Sequence, residues 1–186
     1  MSPSASSHSP QPFPLAFPAV EGPLFALDEA TLARGIEGSR VSPRRRMILP
    51  LHRTQDAAVQ RMLNFMQPGT YACPHLHPQP EAVENVLVLR GAVDFFRFDA
   101  DGNVLDRIAL RPGGTGMIDI EPRVWHTFAT MAPDSVVLEV KRGPYRADLD
   151  KIFPAWAPLE GSPEAAEWME RLLLTPVTQG SVVVGV

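Results

Sequence analysis

Short apolar segments separated by turn-forming residues fill the chain between residues 61 and 142. Side chains of a strand alternate between two faces, and short alternating runs bounded by Gly, Pro and Asp are typical of antiparallel sheets. The predicted strands are 61–67, 70–75, 84–89, 92–99, 104–110, 116–121, 125–130 and 135–142. Strands this short and this regularly spaced predict a mainly β fold, either a closed antiparallel barrel or a jelly roll.

The segments outside these strands differ from them in composition. Residues 1–23 are rich in Ser and Pro, which predicts a disordered arm. Residues 24–60 are interpreted as a lead-in with one helix, residues 61–145 as the barrel, and residues 146–186 as a C-terminal extension with a second helix. The chain is therefore expected to hold one barrel domain with a short addition at each end.

Capping residues predict where the two helices begin and end. Asp28 is placed to cap a short helix that runs to about Gly38. Ser162 is a typical N-cap, and Pro163 suits the first helical position. This second helix is predicted to run through about Leu174, because Pro176 cannot continue it.

The overall charge and cysteine content exclude several classes of protein. The 186 residues carry a formal charge of −4 and only a short basic run at residues 44–46, which argues against a nucleic-acid partner. The single cysteine, Cys73, excludes an internal disulfide and suits a reducing compartment. The chain has neither a secretory signal pattern nor an apolar run long enough to span a membrane. A cytoplasmic protein without a membrane partner is therefore expected.

Three of the five histidines fall at predicted strand positions near a glutamate. His75 and His77 are separated by one residue, so their imidazoles share a face of an extended strand. Glu84 opens the next predicted strand, and His126 lies in a later one. Each histidine alone could be a satisfied core residue, but together the residue types are typical of a first-row transition-metal site.

The spacing of these residues resembles the two motifs of the cupin superfamily. Gly69, His75, His77, Glu84 and Gly91 are spaced as in the first motif, and the interval from Gly116 to His126 resembles the second. A longer match, over roughly residues 40 to 175, resembles the WbuC family of cupin-fold metalloproteins. It includes Pro74-His75-Leu76-His77, Trp125-His126-Thr127-Phe128, Leu138-Glu139-Val140-Lys141-Arg142-Gly143-Pro144-Tyr145 and Ala155-Trp156-Ala157-Pro158.

The resemblance implies a fold, a ligand set and a setting. The fold is a cupin-type double-stranded β-helix, or jelly-roll barrel, with a short N-terminal helix and a C-terminal helix. His75, His77, Glu84 and His126 occupy the positions of the metal ligands, which implies one divalent transition metal ion (Fe, Mn, Ni or Zn). The family also implies that the protein binds a small-molecule ligand and forms a homodimer. It further implies a connection with surface-polysaccharide metabolism.

Two positions depart from the general cupin pattern. The interval between His77 and Glu84 is longer than usual, which leaves Glu81 as a rival ligand. Strand alternation favours Glu84, because Glu81 is expected to remain in the loop with Pro78. The second departure is Arg123, which replaces the usual glycine before the third histidine and is expected to reshape that turn.

Several neighbouring residues are candidates for a substrate shell. Tyr71 has the strand parity of His75 and is predicted to place its hydroxyl near an open metal position. Cys73 has the same parity, although a small packing role is the simpler interpretation. Arg61 and Asn64 either line the pocket or face solvent.

Glu139 and Lys141 share one face of the last predicted strand. If that face points inward, the two charges form a candidate catalytic pair together with Tyr71, because buried charges need partners and cluster at functional sites. If it points outward, they form an exposed pair that contributes little.

Three functions remain open from the sequence. The first is a metalloenzyme acting on a small polar molecule, such as a sugar or nucleotide-sugar, with isomerase, epimerase or oxygenase chemistry. The second is a non-catalytic module that binds a small ligand through the metal. The third is a metal-free epimerase with a histidine base. The fold alone cannot choose among them, because one barrel supports many chemistries.

Overall fold

The computed structural model of the chain describes residues 13–178. Most of the predicted arm and the chain from residue 179 onward lie outside the described residues. The described part of the arm lies along the first strand, since the backbone N–H of Phe17 donates to the carbonyl of Ile48 at 2.8 Å. The N–H of Val20 donates to the carbonyl of Pro50 at 3.1 Å. The arm is therefore ordered over at least these residues, and the domain boundaries stay a prediction.

Eight strands and two helices form the described chain. In order they are α1 (Glu29–Val41), β1 (Arg46–Pro50), β2 (Val59–Met66), β3 (Glu84–Arg90), β4 (Val93–Phe98), β5 (Val104–Leu110), β6 (Met117–Ile120), β7 (Trp125–Thr130), β8 (Ser135–Arg142) and α2 (Ala165–Leu172). No helix in the described range has both the length and the apolar character that crossing a membrane requires. The expected cytoplasmic location stays a prediction.

The strands form two antiparallel sheets, with the orders β1-β2-β8-β3-β6 and β5-β4-β7. An isolated backbone bridge between His75 and His126 adds the histidine-bearing segment beside β7. The first layer contains β2, β8, β3 and β6, and the second contains the His75 segment, β7, β4 and β5. The chain passes repeatedly between these two facing layers, as in a jelly roll. The predicted mainly β jelly roll with one helix near each end is therefore confirmed.

The predicted strands differ from the observed ones in two places. β1 was not predicted, since its short pattern ends at Pro50; the strand forms because it pairs with β2 at the edge of a sheet, where proline is tolerated. The segment 70–75, predicted as a strand, is irregular up to the bridge at His75. Strand alternation consequently does not hold along that segment.

Both helices occur, with shifted ends. The backbone N–H of Thr31 donates to Asp28 Oδ1 at 2.8 Å, so Asp28 caps α1 as predicted, and the helix continues to Val41. Gly35 allows the helix to approach the sheet, since a Cβ there would lie 2.2 Å from the ring of Phe65. α2 begins two residues after Pro163, and the buried hydroxyl of Ser162 has no partner, so the predicted Ser162 side-chain cap is wrong.

The apolar core lies between the two sheets, and a second cluster lies beneath α2. Residues from both sheets meet in the interior cluster, which comprises Met66, Val86, Val88, Val93, Phe95, Leu110, Ile120 and Val137. Gly91 joins β3 to β4 with a φ of 77°, and a Cβ there would lie 2.3 Å from Ser135 Oγ. A glycine is therefore required at this turn both by conformation and by space.

Candidate metal centre

Four buried side chains converge at one end of the barrel interior. One ligand atom from each of His75, His77, Glu84 and His126 lies within 4.8 Å of all the others. His77 Nε2 is 2.9 Å from Glu84 Oε2, and His126 Nε2 is 3.4 Å from the same oxygen. Such a group of three imidazoles and one carboxylate is a donor set that suits Fe, Mn, Ni or Zn.

Backbone pairing holds two of the imidazoles together. The N–H of His75 donates to the carbonyl of His126 at 3.0 Å, and the N–H of His126 donates to the carbonyl of His75 at 2.9 Å. Residues that exchange both hydrogen bonds lie directly opposite each other across two strands. Their rings are 4.5 Å apart between centroids, so the sheet itself fixes the spacing of this part of the site.

Each imidazole is oriented by a hydrogen bond through its Nδ1 atom. The acceptors are the backbone carbonyls of Cys73 for His75 at 3.0 Å, of Asp150 for His77 at 2.6 Å and of Val124 for His126 at 2.9 Å. A carbonyl can only accept, so each Nδ1 carries the proton, and a neutral ring then keeps its Nε2 lone pair. This arrangement is typical of metal-ligating histidines.

The charge states of the group also fit a metal cation. Burial lowers the pKa of His75 well below its ordinary value, which keeps this ring neutral. Burial alone would raise the pKa of Glu84, but positive charge and hydrogen-bond donation from His126 and His77 lower it well below the usual range, as a metal cation at the same place would. The result is an ionised carboxylate enclosed by nitrogen atoms, with the buried His126 Nε2 lacking any hydrogen-bond partner. A shared cation would satisfy all of these atoms at once.

The structure separates Glu84 from its rival Glu81. Glu84 is buried at the first position of β3, with its carboxylate in the group. Glu81 lies in the preceding loop with 66% of its side chain exposed, and it pairs with Arg142. Glu84, and not Glu81, therefore supplies the carboxylate of the group.

Arg123 adopts a backbone conformation that favours glycine. Its φ is 66°, in the left-handed region that disfavours residues with a Cβ. The turn is held by the N–H of Arg123, which donates to the carbonyl of His77 at 3.0 Å. His126 keeps its place in the group, and the expected reshaping of this turn stays a prediction.

A cavity of about 610 Å³ opens beside His75 and Glu84. Its apolar wall includes Met62, Met66, Val86, Phe128 and Val137, and its polar wall includes Asn64, Glu139, Lys141, Asp150 and Lys151. A few polar groups converging in a largely apolar cavity are typical of small-molecule sites.

Glu139 and Lys141 point inward, as in the first of the two interpretations from the sequence. Asn64 Nδ2 donates to Glu139 Oε2 at 2.9 Å, and Lys141 Nζ donates to the two oxygens of Asp150 at 2.6 and 2.8 Å. Burial raises the pKa of Glu139, and the negative charge of Glu84 raises it further. Burial lowers the pKa of Lys141, but Glu139 and Asp150 outweigh this effect and leave it raised.

Tyr71, Cys73 and Arg61 do not share this cavity, which corrects the expected position of Tyr71. The Tyr71 hydroxyl donates to the carbonyl of Pro158 at 2.6 Å, and its ring packs edge-on against Trp168 of α2. Cys73 is buried in the same cluster, and Arg61 is exposed. The expectation depended on strand alternation, which fails because the segment before His75 is not a regular strand.

One segment that lines the cavity has no local signal in the sequence. Residues 144–153, here called the strap, follow β8 and lie against the histidine-bearing segment. Leu76 and Ile152 exchange backbone hydrogen bonds of 3.1 and 3.0 Å. This pairing brings Asp150, Lys151 and Phe153 to the cavity wall, with the Phe153 ring 6.4 Å from that of His75.

Comparisons with known proteins give distant similarities. Residues 27–110 match a domain family of unknown function, DUF6016. No curated protein matches the chain in sequence. Similar solved structures include oxalate decarboxylase from Lactobacillus farciminis in complex with formate, at 18% identity and a TM-score of 0.41 over 52% of this chain and 26% of that chain. KdgF from Halomonas sp. is similar at 21% identity and a TM-score of 0.44, over 58% of this chain and 86% of that chain.

A third similar structure is an oxalate oxidase in complex with the substrate analogue glycolate. It has 15% identity and a TM-score of 0.48 over 73% of this chain and 69% of that chain. Of the oxalate decarboxylase, by contrast, the match covers only 26% of the length. Likenesses this distant transfer no activity.

Proposed function

We propose that the protein binds one divalent transition metal ion, Fe, Mn, Ni or Zn, through His75, His77, Glu84 and His126, and uses it to bind and transform a small polar molecule. One observation carries this proposal. Three imidazoles, each anchored through Nδ1 to a backbone carbonyl, place their remaining nitrogens around a buried, ionised carboxylate. When bound, the metal would supply Lewis acidity or, if it is iron, the capacity to activate oxygen.

The cavity supports a ligand that is anionic or hydroxylated. Lys151 lies on its wall, and the charge of that ammonium group contributes to the lowered pKa of His75. Asn64 and Glu139 offer hydrogen bonds further along the same wall. The apolar residues of the lining, among them Met66 and Val137, would exclude water from such a ligand.

Glu139 is the candidate acid–base group. Its carboxylate lies inside the cavity and its pKa is raised by burial and by Glu84, which moves it toward the range that general acid–base catalysis requires. Lys141 stabilises the carboxylate form of Glu139 and is itself held by Asp150. Both residues are therefore proposed to act on the ligand, whereas the position of Tyr71 favours a structural role.

The resemblance to the WbuC family supports a narrower version of this proposal. The ligand would then be a sugar or nucleotide-sugar of surface-polysaccharide metabolism. A hydroxylated ligand of that kind fits the combination of Asn64, Glu139 and Lys151, and a cavity of about 610 Å³ accommodates a monosaccharide.

A non-catalytic binding module is the second candidate, and the apolar wall of the cavity favours it. The variant Glu139→Gln distinguishes the enzyme from the binding module, because its side chain keeps the shape of glutamate but cannot accept a proton. An enzyme should retain its metal and its ligand affinity in this variant and lose at least about 100-fold in kcat, the contribution typical of a general base. A ligand found by screening metal-loaded protein that binds without any turnover in the wild type would favour the module.

Elemental analysis of protein purified without chelator or metal-affinity resin tests the central claim. We expect about one metal ion per chain in the wild type and its loss in His75→Ala and His126→Ala. His52→Ala is the matched control, because His52 is also buried but its Nδ1 faces the backbone at Arg61 outside the group. Iron or manganese would favour redox chemistry, and zinc or nickel would favour Lewis-acid chemistry. Absence of metal from the wild-type protein and from the His52→Ala control would overturn the proposal and favour a metal-free epimerase.

We also propose that the chain forms a homodimer, as the resemblance implies. Sedimentation velocity at micromolar concentration measures this directly. A single species with the mass of one chain, 20.4 kDa, would contradict the proposal.

A further inference from the structure

The three imidazoles differ in how far along the chain their Nδ1 acceptors lie. His75 and His126 donate to carbonyls only two residues before them, so these bonds form within one segment. His77 donates instead to the carbonyl of Asp150, 73 residues away. The orientation of His77 therefore depends on the position of the strap, whereas the other two orientations are local.

Asp150 connects the strap to the rest of the site through two different groups. Its carbonyl oxygen accepts the hydrogen bond of His77 Nδ1 at 2.6 Å. Its carboxylate accepts two hydrogen bonds from Lys141 Nζ, at 2.6 and 2.8 Å, in a partly buried position. Since both groups belong to one residue, the ion pair fixes the place of the carbonyl.

Lys141 in turn is aligned with the carboxylate of the group. It lies directly opposite Glu84 where β8 pairs with β3. The contacts thus run from Glu84 through the strand pair to Lys141, from Lys141 to Asp150, and from Asp150 back to His77.

We infer that Asp150 is a positioning residue for the metal centre, whose ion pair with Lys141 holds its own carbonyl against His77 and so sets the protonated nitrogen and the orientation of that ring. This inference rests on the proposed metal binding and adds a residue that contacts no metal. Partners that hold the second nitrogen of a ligating histidine commonly change metal affinity by about 10–100-fold when they are lost. Asp150 is proposed to change metal affinity by a factor in that range, by holding the strap in place beside His77.

Asp150→Asn tests this, because the amide keeps the size of the side chain and the backbone carbonyl but loses the charge that binds Lys141. Asp148→Asn is the matched control, since Asp148 lies in the same strap and is exposed. Zn²⁺ affinity is measured by competition with a chelating dye. We expect about a 10–100-fold loss for Asp150→Asn and less than about a twofold change for Asp148→Asn.

The second readout is the ¹⁵N chemical shifts of the histidine rings in the metal-free proteins. In the wild type, each ring should exist as the tautomer with its proton on Nδ1. In Asp150→Asn, His77 should become a mixture of the Nδ1-protonated and Nε2-protonated tautomers, while His75 and His126 should remain protonated on Nδ1. If Asp150 only stabilised the fold, its substitution would change the ¹⁵N chemical shifts of all three rings together. Ile152→Pro provides a second variant, because it removes the backbone N–H that donates to Leu76 without leaving a buried charge unpaired; it should alter His77 alone in the same way.

Three results would overturn the inference: wild-type Zn²⁺ affinity in Asp150→Asn, unchanged His77 shifts in both strap variants, or equal changes at all three histidines. Failure of the underlying proposal is recognised separately. If the wild-type protein binds no metal, the proposed function fails, while the shifts of the metal-free protein still decide whether Asp150 orients His77.

Discussion

The two ends of the barrel interior differ sharply although the same two strands build both. Along the inner face of β3 and β8, the paired positions are Glu84 with Lys141, Val86 with Glu139, and Val88 with Val137. The pairs change from two charged residues to one charged residue and then to none within five residues of each strand. Polarity is therefore graded along the strands rather than divided between separate elements.

This gradient separates stability from chemistry. At the apolar end, close packing of side chains from both sheets supplies the favourable burial that folding requires. At the polar end, buried charges are unfavourable unless each is paired, and the group around Glu84 retains an unpartnered nitrogen on His126. We therefore expect substitutions at the two ends to affect different measurable quantities.

The largest expected effect is at the polar end. Glu84→Gln keeps the size of the side chain but removes the charge that a divalent metal requires, so metal affinity should fall by more than about 100-fold, beyond the range of outer partners. Chelator competition measures this change. Thermal unfolding of the metal-free variant serves as the control for folding. Retention of wild-type affinity would show that the carboxylate is not a ligand.

At the apolar end, Leu110→Ala should lower stability without altering the metal centre. Leu110 is fully buried in the interior cluster, and such truncations cost about 2–5 kcal/mol of the free energy of unfolding. Urea unfolding of the metal-free protein measures the loss, and chelator competition should give a metal affinity within about threefold of wild type. A parallel loss of metal affinity would contradict the separation of the two ends.

The pH dependence of stability sharpens the comparison further. The unfolded chain takes up a proton on His75 below about pH 6.5, whereas the folded chain does not, because burial lowers the pKa of that ring. The metal-free protein should therefore lose stability as the pH falls from 7 to 5. His75→Gln should reduce this slope, and Leu110→Ala should leave it unchanged. Equal slopes in wild type and His75→Gln would show that His75 titrates alike in both states.

The smallest effect is expected at the turn before His126. Arg123→Gly places a residue without a Cβ at a φ of 66° and relieves a conformation that costs about 1–2 kcal/mol. The greater freedom of glycine in the unfolded chain offsets part of this gain, so we expect stabilisation of less than about 1 kcal/mol. Thermal unfolding measures it, and destabilisation would mean that the Arg123 side chain contributes more than the strain costs.

Sequence patterns predicted the parts of the molecule that local rules determine. Strand alternation brought His75 and His77 together and favoured Glu84 over Glu81, and Asp28 was recognised as a cap because its partner is three residues away. Tyr71 was misplaced because the same alternation was applied to a segment that is not a strand. Asp150 was missed because its contacts with His77 depend on how the strap folds back, which no local pattern encodes.

The pairing of His75 with His126 has a consequence for how this site can change in evolution. The distance between these two rings depends on which residues face each other in the sheet, and the length of the chain between them has no part in it. The loop before Glu84 can therefore gain or lose residues while the donor atoms of His75 and His126 stay in place. Insertions at that point would reshape the entrance to the cavity and so offer a route to a new ligand preference with the same donor set.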